Sequence, residues 1–150
     1  MNFDLSNEQQ LIRDAVRDFA QREIAPRARH VDEHGEFPTE SFQKMASLGL
    51  MGLPFPEQYG GAGADSVSTA IAIEEVSRAC GSTGIAYSAH MGLGSAPIYM
   101  FGTEDQKQRF LRPAAEGKYM AAFGLTEPHA GSDAGATRTN ARLEGDQWVI

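Results

Sequence analysis

The spacing of apolar residues changes once along this chain, and that change sets what it can fold into. Up to about Lys118 apolar residues recur at helical intervals; past it they alternate with polar ones. Ser6 and Gln9 form a capping box, and Leu11, Ile12, Ala15, Val16, Phe19, Ala20 and Ile24 follow as one helical stripe. Pro26 is expected to interrupt this helix, which resumes toward His34 and stops at Gly35. Pro38 and Thr39 start a second helix, with Phe42, Met45 and Leu48 inward and Gly49 at its end. Pro54, Pro56, Gly60, Gly61 and Gly63 argue against regular structure between Met51 and Asp65. A third helix over Ser66–Ala79 should direct Val67, Ala70, Ile71 and Val76 to the core, with Cys80 to Gly84 breaking it. From Ile85 to Phe101, small residues would let a helix approach a neighbouring helix or a ligand tail closely. Thr103 and Gln106 repeat the capping box and open a helix ending near Gly117.

Beyond Lys118, Met120 to Leu125 reads as a strand running into an irregular loop. Thr137, Thr139, Ala141 and Leu143 interleave with Arg138, Asn140 and Arg142, the pattern of a half-buried strand. Glu144, Gly145 and Asp146 make a tight turn, and Gln147 to Ile150 begins a return strand. The expected class is α+β: an all-α helical domain over residues 1–118, then the start of a β-sheet domain over 119–150. So little sheet cannot stand alone, so the chain is expected to be the N-terminal part of a longer protein.

Charge narrows the function classes. The chain carries 13 Lys and Arg against 20 Asp and Glu, a net charge of −7, which argues against a nucleic-acid or anionic-membrane surface. Cys80 is the single cysteine, so no internal disulfide can form and a reducing compartment is favoured. Met1 to Ser6 has neither a basic region nor an apolar run of the signal-peptide kind. A cytoplasmic location is the expectation, with a processed mitochondrial matrix form left open.

Few side-chain constellations can carry chemistry. His30-Val31-Asp32-Glu33-His34 fits an H-x-x-E-H zinc pattern, with both histidines one turn apart. Gly35 ends the helix immediately, and a catalytic zinc needs a third ligand, so a solvated helix end is the competing reading. Glu74 and Glu75 point about 100° apart, so a solvated or ion-paired face suits them better than paired acid–base work. Cys80 has no cation beside it in sequence, and His90 and His129 stand alone. The segment Phe123 to Ala136 differs: Pro128 excludes a helix, Gly131 and Gly135 permit close ligand approach, and Thr126, Ser132 and Asp133 add short polar groups. Such a rack of N–H donors and hydroxyls suits a flat, heteroatom-rich ring.

The run Gly124-Leu125-Thr126-Glu127-Pro128-His129-Ala130-Gly131-Ser132-Asp133-Ala134-Gly135-Ala136 resembles, position by position, the signature of the acyl-CoA dehydrogenase family. Pro56 to Gly61 and Phe101 to Lys107 are similar to that family too. The resemblance implies a helical N-terminal domain, a central β-barrel-like domain and a C-terminal helical bundle, bound FAD, and usually a homotetramer. It implies oxidation of acyl-CoA thioesters to trans-2-enoyl-CoA, with electrons passed to an electron-transferring flavoprotein. In that chemistry a glutamate removes the α-proton, the β-hydrogen leaves as hydride to the flavin, and hydrogen bonds to the thioester carbonyl stabilise the enolate.

Carried onto this sequence, the resemblance makes Phe123, Gly124, Leu125, Thr126, Gly131 and Ser132 cofactor-binding. Phe123 and Leu125 would pack near the isoalloxazine, and Thr126 would offer its hydroxyl and amide to ring heteroatoms. Ser132 would also meet the CoA portion of the substrate, while Ser95 and Tyr99 would limit acyl length. The family's second flavin segment and its catalytic glutamate have no counterpart here, so no catalytic residue is assigned and the chain alone is expected to turn nothing over. An acyl-CoA oxidase or flavin monooxygenase of the same fold stays open, as do a zinc hydrolase built on His30 and His34 and a non-catalytic helical interaction module.

Overall fold

In a computed structural model, residues 3–150 are described, and the helical layer begins where the first capping box puts it. Met1 and Asn2, which begin the stretch read for a signal peptide, lie outside the described residues. The Ser6 hydroxyl accepts from the Gln9 amide, and the Gln9 side chain accepts from the Ser6 amide, opening α1 (Asn7–Phe19). The same Gln9 side chain donates to Asp65, whose other carboxylate oxygen caps α4 (Ser66–Ala79) through the Ser68 amide. Two turns on, the Arg17 guanidinium forks onto Glu75, Nε to Oε2 at 3.0 Å and Nη2 to Oε1 at 2.6 Å. These two ties make α1 and α4 run side by side in the same direction.

After α1 the helix widens over Ala20–Ile24 and continues as α2 (Ala25–His34), ending at Gly35 with φ of 62°. Helix α3 (Thr39–Ser47) follows, then short turns over Leu50–Gly52 and Glu57–Tyr59 where prolines and glycines crowd. Cys80 alone is extended between α4 and α5 (Gly81–Ala89), so the break expected from Cys80 to Gly84 shrinks to one residue. Gly84 sits inside α5, where a Cβ would meet the Ser77 hydroxyl at 2.1 Å; its bareness lets α4 and α5 touch. A wide turn over His90–Ser95 leads into α6 (Ala96–Phe101). The second capping box opens α7 (Glu104–Gln106), and a third wide turn over Lys107–Leu111 leads into α8 (Arg112–Ala115).

The wide turns share a cause. Pro26, Pro97 and Pro113 each stand second in the helix that follows. A proline has no N–H to donate, and its ring collides with the carbonyl four residues back. In each case the residue before the proline donates five residues back instead: Ala25 to Ala20, Ala96 to Met91, Arg112 to Lys107. One extra residue in the turn moves the obstructing carbonyl aside.

The main core joins Val16, Phe19, Ala20 and Ile24 to Phe42, Met45, Leu50, Met51, Leu53, Ala72, Val76, Tyr87 and Met91. A smaller cluster holds Phe55, Tyr59, Leu111 and Ala115. Several expected core residues lie outside both. Leu11 and Val67 face outward, as does Leu48, which follows the last turn of α3. On α4 the buried face runs through Ser68, Ile71, Ala72, Glu75 and Val76, so Ala70 is turned away.

The β region corrects two expectations. Among the described residues Met120 to Leu125 has no ladder partner, and the Ala121 amide goes to a histidine instead. The expected half-buried strand from Thr137 to Leu143 is reduced to β1 (Arg142–Glu144), paired antiparallel with β2 (Gln147–Val149) around Gly145 and Asp146. Every residue of both strands is exposed; alternation marks a face that could be buried, and among the described residues nothing covers it.

The Arg17 hydrogen bond holds the Glu75 carboxyl below the usual glutamate range, against a burial effect that pushes it up. A depressed folded-state pKa contributes stability above the unfolded value, about 4.3, and that contribution is lost as pH falls through the lower folded value. Glu75→Gln should therefore lower the thermal midpoint at pH 7 on the order of 5 °C. The loss should shrink by pH 3; equal losses at both pH values would remove this account.

Candidate functional site

Ala121 to Thr126 has no regular secondary structure and is tied at its start and again just past its end. At the start, the Ala121 amide donates to His90 Nδ1 at 2.9 Å, and His90 Nε2 lies 3.1 Å from the Met51 carbonyl. A Cβ on Gly94 would sit 2.5 Å from the Ala121 carbonyl carbon, so only glycine admits the segment this close.

At the far end, Glu127 and Ala130 exchange both backbone hydrogen bonds, at 2.8 and 3.3 Å, folding Pro128 and His129 into a tight reversal. The Glu127 carboxylate then grips a distant stretch. Its oxygens accept from the Arg138 amide at 2.9 Å, the Thr139 amide at 2.8 Å and the Thr139 hydroxyl. His129 Nε2 lies 3.2 Å from the same group. The Thr139 hydroxyl and the two amides push this carboxyl below its ordinary range, so Glu127 is a committed anion and not a base in waiting.

Between these ties, among the described residues, the amides of Ala122, Phe123, Gly124, Leu125 and Thr126 donate to no protein group. The Thr126 hydroxyl is equally free, and Gly124 has open space where a Cβ would be. Phe123 and Leu125 are about half exposed, at 53% and 44%. Gly131 comes back beside Thr126, its would-be Cβ 4.0 Å from the threonine methyl, and Ser132 next to it is exposed. Phe123, Gly124, Leu125 and Thr126 thus offer free donors between two exposed apolar side chains, and Gly131, followed by the exposed Ser132, returns beside Thr126. Free N–H donors beside exposed apolar side chains could hold a planar heteroaromatic group such as a flavin ring.

Ser95 and Tyr99 do not line one cavity. Ser95 is fully buried with its hydroxyl unpartnered. Tyr99 packs edge-on against Phe55 and Tyr59, at ring separations of 5.7 and 6.2 Å, under the Lys107 ammonium. It lines an apolar cavity with Pro54, Ile73, Met91 and Met100, and Ser95 is not part of that lining. The His30 and His34 rings lie 4.1 Å apart on exposed α2, with His34 Nδ1 turned to the His30 carbonyl. Among the described residues no group of three or more His, Cys, Asp or Glu side chains is placed to hold a metal. Cys80 is buried beside the Ser82 hydroxyl. Sequence reasoning missed His90 and Glu127 as the two anchors. The available signals were a histidine four residues before a glycine on one helix, and an acidic residue inside a loop otherwise made of small groups.

If the Glu127 clamp holds this surface in shape, Glu127→Gln should release it, because the new amide nitrogen faces an N–H donor. Amide exchange at Arg138 and Thr139 should then rise ~10-fold or more, read by hydrogen–deuterium exchange. Unchanged exchange there would show that the clamp is incidental.

Comparison with known proteins identifies the family of the chain. The model of the acyl-CoA dehydrogenase N-terminal domain matches residues 6–118. A probable acyl-CoA dehydrogenase of Bacillus subtilis is 59% identical over all 150 residues, and a short-chain-specific acyl-CoA dehydrogenase of Clostridium acetobutylicum is 51% identical. In both cases the chain spans 40% of the relative's length. The crystal structure of an acyl-CoA dehydrogenase complexed with FAD from Bacillus anthracis superposes with a TM-score of 0.88 at 41% identity. That match covers 95% of this chain and 24% of the other. The chain belongs to the acyl-CoA dehydrogenase family, and residues 6–118 are its N-terminal domain.

Proposed function

We propose that this chain supplies the helical layer and one flavin-binding face of an FAD-dependent acyl-CoA dehydrogenase. The enzyme oxidises an acyl-CoA thioester to the trans-2-enoyl-CoA, passes the electrons to an electron-transferring flavoprotein and assembles as a homotetramer. The row of free amides from Ala122 to Thr126, held open beside Phe123 and Leu125, is the observation that carries this reading. FAD, when bound, supplies the two-electron acceptor. Phe123 and Leu125 give its ring an apolar floor that excludes water, and the neighbouring amides and the Thr126 hydroxyl donate to its heteroatoms. Ser132, exposed at the edge of the same surface, is placed for the polar parts of cofactor and substrate.

No side chain here is offered as the base that removes the α-proton. Glu127 is the carboxylate nearest in sequence to the free amides, and its oxygens are occupied by the Thr139 hydroxyl and two amides. The 150-residue chain alone is therefore proposed to be inactive. A short acyl chain is the favoured substrate, in line with the short-chain-specific relative. An oxidase or monooxygenase of the same architecture would differ in letting reduced flavin react with oxygen, which oxygen uptake during turnover measures.

The test uses the complete protein that carries this chain. Purified and folded, it should hold FAD, and a short acyl-CoA should bleach the oxidised flavin under anaerobic conditions; a folded protein without flavin absorbance would overturn the reading. Thr126→Val should weaken FAD binding ~10-fold, the worth of one hydrogen bond, with little change in thermal midpoint. Tyr99 is proposed to set acyl length from the cavity it lines, so Tyr99→Ala should shift preference toward longer chains. An unchanged chain-length profile would remove Tyr99 from that role.

A further inference from the structure

We propose that His90 is a positioning residue for the flavin-binding face: its neutral Nε2–H tautomer fixes where the Ala121–Thr126 segment lies. The inference rests on the flavin reading for what the segment does, and on geometry alone for how the segment is held.

His90 is fully buried, and both ring nitrogens are in use. Nδ1 receives the Ala121 N–H, so it carries no proton; Nε2 faces the Met51 carbonyl, so it carries one. The imidazole therefore bridges the Leu50–Gly52 turn, deep in the main core, to the first residue of the exposed segment. Burial itself disfavours the imidazolium, which could not accept from Ala121. A second, independent contact marks the same point. Gly94 lies four residues on in the same wide turn, and any side chain there would strike Ala121 and the Ala122 amide nitrogen at 2.5 to 2.7 Å. One residue pulls the segment in, and the other leaves room for it. Ala121 is the last residue before the five free amides, so its position sets theirs.

Two variants separate the two ends of the imidazole. In His90→Asn, the side-chain oxygen replaces Nδ1 as acceptor for Ala121, and the bond to Met51 is lost. In His90→Gln, the longer amide reaches the Met51 carbonyl and leaves Ala121 without an acceptor. Each loses one buried hydrogen bond, so thermal midpoints should fall by similar amounts and do not discriminate. The discriminating readouts are hydrogen–deuterium exchange over residues 119–126 and the visible circular dichroism of bound flavin, both in the complete flavin-loaded protein.

His90→Gln should speed exchange at Ala121 ~10-fold or more and change the flavin signal, and His90→Asn should restore both. Gly94→Ala should reproduce the Gln phenotype with His90 intact. Indistinguishable Asn and Gln variants, or wild-type exchange rates in His90→Gln, would overturn the inference. Faster exchange at Ala121 with an unaltered flavin signal would overturn its flavin half and leave the flavin reading itself to the absorbance of the wild-type protein.

Discussion

A proline within a helical run withdraws a backbone donor and sets a ring against the preceding turn, and much of this fold follows from how that constraint is met. At Pro26, Pro97 and Pro113 the preceding turn widens by one residue, so the helix passes the proline without ending. The turn before Pro97 has the largest consequence. It spans His90 to Ser95, and within it His90 and Gly94 come to bear on the same residue, Ala121. A regular helix would still place residues four apart near one face, but with a different stagger along it. The backbone geometry demanded by a proline thus lies beneath the seat of the segment that carries the free amides.

The loop motif divides into residues that shape the loop and residues left available. Glu127 spends its carboxylate on Arg138 and Thr139, and Pro128 with His129 turns the chain back. The Asp133 carbonyl accepts from the Ala136 amide and closes the next turn. Gly131 and Ser132 lie between these fixed points and Thr126 just before the first of them, and among the described residues both hydroxyls are unpartnered. A carboxylate that accepts from a hydroxyl and two amides is a strong internal clamp because each donor is aimed at a full charge. Its depressed pKa is the electrostatic face of the same arrangement. Reading every polar letter of the motif as a ligand contact would miss this division of labour.

Local chemistry in the sequence was legible where one residue decides the outcome. Ser6 with Gln9, Thr103 with Gln106, and the glycines at 35, 49, 117 and 145 behave as their backbone preferences require. Stripes judged by apolar letters were less faithful. On α4 the buried face includes Glu75 and Ser68, because Arg17 reaches across from α1 to neutralise the carboxylate and Asp65 caps at Ser68. A partner from another helix is invisible to a one-helix pattern, so Val67 and Ala70, inward by apolar spacing, face outward. The same blindness produced a strand from Thr137 onward, where the amides of Arg138 and Thr139 go to Glu127 instead of a ladder. The candidate surface itself was readable as a motif; its two anchors were not, since both join residues far apart in sequence.

Rigidity is what gives the free amides their value. An exposed N–H is already bonded to water, so exchanging that water for a ring heteroatom gains only about 0.5–1.5 kcal/mol net per bond. Ordering a backbone residue costs about 1–2 kcal/mol, so a floppy five-residue segment would cancel the gain from donors it brought to a ligand. Here Ala121 is pinned to a buried histidine and Glu127 to two amides and a hydroxyl, so most of that ordering is complete when the chain folds. In the proposed flavin site the apolar pair Phe123 and Leu125 would supply contact area, and the donors would supply orientation. In the proposed site the two anchors would therefore matter to binding although neither is among the residues proposed to touch the ligand.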